Sequence, residues 1–377
     1  MRILLSKPRS LVTNRSAQLL AVTMALVFIG LVMVLSSSAV EEFAIGNSVS
    51  SKFITQTVSA IIGIVAMIVA ASMPARIWQR LAWPMLVLAV IVQLLVFTPL
   101  GYSVGENRAW IRLGGFSFQP AELVKVALVV VLAKQFEMHR RLERSARQLF
   151  VPLAVALVPS VGLVLLGKDL GSVLVIGALV LGAMWFGEVN WKYIGACLVA
   201  AAVGAVAVAL TSPLRVARML CFINQSCDYE TDGWQPTHAM YALAAGGLTG
   251  RGLGMSRAKW SWLPAADNDF IFAIIGEEYG FLGASVVIGL FVVLALVLLG
   301  IINSTKDRFA RTVCGAVLVW LVFQAFVNIA VVLGLLPILG VPLPFVSSGG
   351  SALMTTLLAV GIVLSVAKTA ADPKEDA

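Results

Sequence analysis

The chain has 377 residues, of which 60% are hydrophobic and 12% charged. That balance excludes an ordinary soluble domain and places the chain in a bilayer. Its net charge of +8 is spread over short connecting segments instead of forming one basic stripe, which argues against a nucleic-acid-binding protein.

A helix needs about 20 apolar residues to cross a hydrocarbon core of roughly 30 Å. Ten runs qualify as candidates, at 17–38, 53–72, 81–100, 120–136, 149–166, 170–186, 193–211, 270–302, 313–336 and 351–367. The expected fold is an all-α membrane protein of ten transmembrane helices, with a large extracytoplasmic loop (212–269) between helices seven and eight. Residues 1–16 form a cytoplasmic segment, 17–369 the membrane domain and 370–377 a cytoplasmic tail. The first run lacks a small-residue cleavage pattern, so it is expected to remain as a helix. Lys and Arg concentrate on the loops of the amino-terminal side, for example Arg76, Arg80, Arg140, Arg141, Arg144 and Arg147. By the positive-inside rule both termini are expected in the cytoplasm.

Ionisable residues at the edge of a membrane need a partner or a task. In the segment from Gly105 to Gly115, Arg108 and Arg112 with Trp110 suit an amphipathic piece at the headgroups. They have two readings, phosphate binding and lipid anchoring. Glu122 and Lys125 lie three apart on one helix face, as a structural ion pair or as substrate contacts. Asp169 is placed to cap the helix that follows, with Lys168 facing solvent or an anion. Asp267 and Asp269 stand just before a deep apolar run. A carboxylate there has a lowered dielectric around it, as a general base requires, and helix capping by Asn268 or Asp269 is the plainer alternative.

Glu277 and Glu278 follow inside that run, and Glu278 reads as a buried structural group. Ser347 lies in a proline-broken, glycine-rich segment at the mouth of the last span. Lys259 is a further basic residue of the outer loop. His139 and His238 stand apart, so no metal-ligand cluster is evident. Cys197 and Cys314 sit in apolar runs as packing residues. Cys221 and Cys227 flank a short polar segment of an oxidising compartment, either as a disulfide or as two thiols.

Several of these segments together resemble the SEDS family (shape, elongation, division and sporulation) of bacterial cell-wall polymerases, its division branch in particular. They are residues 118–125 (FQPAELVK), 168–172 (KDLGS), 252–257 (GLGMSR), 268–273 (NDFIFA) with Gly276-Glu277-Glu278, and 342–351 (PLPFVSSGGS). The resemblance implies a ten-span fold whose outward cavity binds lipid II, an undecaprenyl-pyrophosphate-linked disaccharide-peptide, and polymerises it into glycan strands. It assigns the catalytic aspartate to Asp269. Trp110, Glu122, Lys125 and Asp169 fall on further family positions. Asn268 before Asp269 favours the division branch over the elongation branch.

Departures from the family pattern are Asp267 and Ala265 before the aspartate, Ser348 in place of a tyrosine, Ala109 in place of a second arginine, and Lys168 in place of a proline. The implied chemistry has Asp269 deprotonate an acceptor hydroxyl while Lys125, Arg108, Lys168 or Lys259 stabilises the departing pyrophosphate. A divalent cation, Mg or Mn, is a candidate helper. Implied partners are a class B penicillin-binding protein transpeptidase and other divisome membrane proteins. Two rival readings are a transporter that flips lipid II, served by Glu122, Lys125 and Glu278, and a non-enzymatic division scaffold.

Overall fold

The computed structural model describes residues 7–371 except 45, 47, 114, 115, 142–145, 211, 225–228, 230–232 and 261. Its elements in order are α1 (Lys7–Ala44), α2 (Ser51–Ser72), α3 (Ala75–Leu94), β1 (Gly101–Val104), β2 (Asn107–Leu113), β3 (Phe116–Phe118), α4 (Pro120–Arg141), α5 (Ala146–Leu166), α6 (Leu170–Phe186), α7 (Trp191–Ala209), α8 (Pro213–Asn224), α9 (Trp234–Gly246), α10 (Ile271–Ser304), α11 (Arg308–Val332) and α12 (Gly350–Ala371). It is a multi-pass helical membrane protein. Among the described residues, eight helices are long and apolar enough to cross a bilayer: α1, α2, α3, α5, α7, α10, α11 and α12. The α6 helix is short at 17 residues, and α4 carries Glu122 and Lys125 in its first turns.

Burial separates a centre from a rim. Buried residues make up 72% of the apolar window of α11 and 6% of that of α7, so α11 is central and α7 faces lipid. Around α11 pack α6, α4, α10 and α12, while α2 lies along α12 and α1 along α10. The α4 interior is buried nearly without interruption from Val124 to Ala133. A helix apolar all round belongs inside a bundle.

Two expectations are corrected. The fold is not all-α, because residues 101–118 form a three-stranded antiparallel sheet in the order β1-β2-β3, with Tyr102 opposite Trp110 and Arg112 opposite Ser117. Trp110 and Arg112 stand two apart, the strand period, and a register shift interrupts that alternation between Trp110 and Arg108. Gly101 opens the sheet where a Cβ would lie 1.8 Å from the Val96 carbonyl oxygen, closing the chain tightly after α3.

The second correction concerns α10, which is not one continuous span. Gly280 has φ 66° and ψ −164°, breaking it into a short piece (271–279), buried from Ile271 to Glu278, and a long helix (281–304). Unbroken, 34 residues would measure about 51 Å, far beyond a bilayer core. The break accepts the 247–252 turn instead: Phe281 N–H donates to Gly247 O at 2.8 Å, and Gly252 N–H to Glu278 O at 3.0 Å. The segment 212–269, expected as a loop, contains α8 and α9, and α9 packs on α10.

Candidate active site

Chain direction gathers the sequence candidates at one end of the bundle. The starts of α2, α4, α6, α10 and α12, the ends of α5 and α11, and the small sheet all lie there. Asp269 precedes α10 in a tight turn in which the N–H groups of Asn268 and Phe270 both donate to Ala265 O. Ala265 takes φ 56° to close it. From α11, Asn328 Nδ2 donates to the Asp269 carbonyl at 2.8 Å and to the Val341 carbonyl at 2.8 Å. The Asp269 side chain faces the 339–341 turn, where a Cβ on Gly340 would lie 3.8 Å from Oδ2. Its backbone is therefore fixed on both sides while the carboxylate remains partly exposed.

Removal from water, then the negative charges of Asp267 and Asp169, push the Asp269 carboxyl up to about 6. Asp169 caps α6: its Oδ1 accepts from Ser172 N–H at 3.0 Å, and its Oδ2 accepts from the Ser172 hydroxyl and from Gln119 Nε2, each at 2.7 Å. The Cβ-less Gly171 lets α6 reach the Leu339 carbonyl, bringing Asp169 to the same turn as Asp269. Asp267 is buried and pairs with Lys52 Nζ at 3.1 Å.

The remaining candidates divide into two groups. Arg108 belongs with the site, since its N–H donates to Gly167 O at 2.9 Å and sets β2 beside Lys168 and Asp169. One arm of its guanidinium is held by Thr98 O at 3.0 Å. Lys168 takes φ 61° in that turn. Trp110 is half-buried on the same strand.

Below the mouth, Lys125 Nζ lies 2.7 Å from Glu122 Oε1 and 3.1 Å from Gln324 Oε1, and 4.9 Å from the Trp320 ring centroid. Gln324 Nε2 continues to Pro342 O at 2.9 Å, so this buried pair supports the 339–347 turn. Lys259 stands elsewhere, buried against Glu278 Oε1 at 3.0 Å and Ser36 Oγ at 3.2 Å. The Ser347 hydroxyl is used in the backbone, donating to Asn268 O at 2.7 Å and accepting from Leu343 N–H at 2.8 Å.

Cys221 is disulfide-bonded, and Cys227 lies outside the described residues. Cys197 and Cys314 are free. Among the described residues no group of three or more His, Cys, Asp or Glu side chains is placed to hold a metal ion. An apolar cavity of about 260 Å³ between α1 and α10, lined by Phe28, Met33, Ile275, Tyr279 and Val287 among others, contains none of the carboxylates of the mouth.

Three residues that shape the site went unremarked in the sequence, Gln56, Gln324 and Asn328, while Gln119 stood in the 118–125 motif without a role of its own. Their signal was present, because an amide buried in an apolar helix must find partners. Gln56 spans Ser347 O at 3.1 Å and Gly349 N–H at 3.2 Å.

Comparison with known proteins agrees with this architecture. The cell cycle protein family model of FtsW, RodA and SpoVE matches residues 16–372. The protein named Probable peptidoglycan glycosyltransferase FtsW of Mycobacterium tuberculosis is 35% identical over 351 residues, covering 93% of this chain and 67% of that protein. Stage V sporulation protein E of Bacillus subtilis is 34% identical over 363 residues, covering 94% and 98%.

Among solved structures, a chain from a peptidoglycan synthase complex that coordinates polymerization and crosslinking superposes with TM-score 0.74 at 26% identity, covering 93% of this chain and 97% of that one. RodA of Thermus thermophilus gives TM-score 0.68 at 27% identity, covering 93% and 96%. With a family match running nearly from end to end and the same helical bundle in solved relatives, this chain belongs to the FtsW/RodA/SpoVE family of cell cycle proteins.

Proposed function

We propose that this chain is a peptidoglycan glycosyltransferase of the FtsW type, polymerising lipid II on the outer face of the cytoplasmic membrane during septal wall synthesis and cell division. The observation that carries the reading is Asp269, a partly exposed carboxylate with a fixed backbone whose proton affinity is raised to about 6. Such a group is mostly ionised at neutral pH and more basic than an ordinary carboxylate, which suits a general base.

In the proposed step, Asp269 takes the proton of the acceptor sugar's 4-hydroxyl. The freed oxygen bonds to the anomeric carbon of the growing strand, and the bond from that carbon to the lipid pyrophosphate breaks, releasing undecaprenyl pyrophosphate. Arg108 and Lys168 flank the turn beside Asp169 and supply positive charge toward the leaving group. Lys125 and Lys259 are held in buried pairs and act on the scaffold instead.

Asp267 is engaged by Lys52, and Asp169 by Gln119 and Ser172. These prior engagements do not fit a resident divalent cation, Mg or Mn, and no step is routed through one.

The eight apolar spans together with α4 and α6 make ten. Both termini are then cytoplasmic, and 212–269 is an extracytoplasmic segment in which Cys221 pairs with Cys227. The solved relative taken from a synthase complex supports a class B penicillin-binding protein as the crosslinking partner, within a larger set of divisome membrane proteins. The flipping alternative is less well supported, since Glu122 and Lys125 are engaged with each other and with Gln324. The FtsW names of the most similar relatives support the division role over elongation.

The test is purified full-length protein in liposomes with lipid II. Wild type forms glycan polymer, and Asp269→Asn binds lipid II but forms none. Undiminished polymer from the variant would sink the assignment.

A further inference from the structure

The turn that carries Asp269 is held by a cation from another helix. Lys52, in the first turn of α2, places Nζ 3.1 Å from Asp267 Oδ2 and 2.7 Å from Glu41 Oε2 of α1. The Asp267 side chain is 7% exposed and that of Lys52 31%, so the contact is shielded from bulk solvent and weakly screened. Asp267 is also fixed through its carbonyl, which accepts from Ser348 N–H at 2.9 Å. Its charge therefore stays beside Asp269, two residues on.

The described charged groups around this turn come from five segments. They are Asp267 in the turn itself, Asp169 and Lys168 before α6, Lys52 of α2, Glu41 of α1, and Arg108 on β2. Asp267 and Asp169 both act on Asp269 as like charges. Asp169 is held by the neutral donors Gln119 and Ser172, which leave its charge in place. Asp267 is paired with the Lys52 ammonium. Lys52 thus balances one of two negative neighbours, and it does so without contacting Asp269.

We propose that Lys52 is a positioning residue for glycosyl transfer, pairing with Asp267 so that the 265–270 turn stays closed and the charge next to the Asp269 base is neutralised. The proposal rests on the reading of Asp269 as the base. Removing Lys52 leaves the Asp267 carboxylate without that cation two residues from Asp269, and like charges at close range drive one to take a proton. The base is then protonated over a wider range of pH.

The experiment is polymerisation of lipid II by the full-length protein in liposomes, with kcat/KM measured from about pH 4.5 to 9 for wild type, Lys52→Gln, Lys52→Arg, Asp267→Asn and Asp269→Asn. Lys52→Gln moves the acidic limb upward by about half a pH unit, which is about a three-fold loss of kcat/KM below the limb. Lys52→Arg, which keeps the charge, holds the wild-type limb, and Asp267→Asn moves it down. A loss of folding alone would lower the whole profile without displacing the limb in opposite directions.

A limb unmoved or lowered in Lys52→Gln overturns the proposal. Should that variant fail to accumulate, an unmoved limb in Asp267→Asn overturns it equally. Polymer formation by Asp269→Asn would instead strike the base assignment, so the two failures are distinct.

Discussion

Asn328 binds the carbonyls of Asp269 and Val341 with one buried side-chain nitrogen, each at 2.8 Å, tying the two walls of the mouth to α11. An amide nitrogen carries two hydrogens, so both bonds are satisfied at once. Replacing Asn328 by Leu removes both and leaves two carbonyls unpaired in apolar surroundings. The expected cost is about 1–3 kcal/mol in stability. Turnover falls because Asp269 is no longer aimed, while lipid II binding is retained. Thermal midpoint, turnover and lipid II binding measured on the same preparation check this; wild-type turnover at a lowered midpoint would contradict the positioning role.

The raised proton affinity of Asp269 makes two linked predictions about pH. Polymerisation should fall as pH drops through about 6, because the base is then protonated. Stability moves the other way. A carboxyl whose folded value lies above its unfolded value contributes stability that is present below about pH 4 and lost as pH rises through about 6. Ionised Asp269 therefore costs the native state about 1–3 kcal/mol at neutral pH. Asp269→Asn should raise the thermal midpoint at pH 7.5 and bring a much smaller gain at pH 4.5. Equal gains at both pH values would argue against the shifted titration.

The helices were legible because burying a backbone in lipid forces internal hydrogen bonding, and the apolar runs announce it. Each of the ten runs overlaps a helix, for example 53–72 with α2 and 170–186 with α6, although the run 81–100 ends beyond α3 and the run 270–302 crosses the break at Gly280. The sheet was hidden because the spacing of Arg108, Trp110 and Arg112 is compatible with either period. Gly280 was hidden because one glycine in an apolar run is unremarkable, and only the excess length of the run betrays a break.

At the site, the local motifs around Asp269 and Asp169 were readable. The partners of Lys52 and Lys259 were not. Ser36 and Lys259 lie 223 positions apart, and nothing in either local sequence specifies the other. The chain's path, not its motifs, decides that Lys259 serves Glu278 and that Lys52 serves Asp267.

Lys259 and Glu278 form a buried pair that links the outer segment to α10, and Ser36 Oγ of α1 lies 2.7 and 2.8 Å from the two carboxylate oxygens. Removing one partner strands the other charge in a dry site, at a cost of about 3–5 kcal/mol. Replacing both by apolar residues of similar volume avoids that penalty. Lys259→Met and Glu278→Leu should each lower the thermal midpoint strongly, and the double variant should recover most of the loss. Strictly additive losses would show that the two charges do not depend on each other.

Gly280 meets two constraints at once, and Gly280→Ala tests them together. Its φ of 66° with ψ of −164° is a conformation that residues with a Cβ rarely adopt. A Cβ there would also lie 2.4 Å from Gly250 N and 2.6 Å from the Leu248 carbonyl carbon, both backbone atoms that cannot turn aside. The 247–252 turn would have to retreat, stretching the bonds from Phe281 N–H to Gly247 O and from Gly252 N–H to Glu278 O. That turn leads into the segment whose Ser256 hydroxyl donates to Glu277 and whose Lys259 pairs with Glu278. Its displacement therefore reaches the 256–269 stretch that ends in Asp269. Gly280→Ala should lower stability by at least about 1–3 kcal/mol and expose the 247–259 segment to limited proteolysis. Polymerisation should fall more than lipid II binding. An alanine variant with wild-type protease resistance and turnover would show that this break in α10 does not hold the outer segment in place.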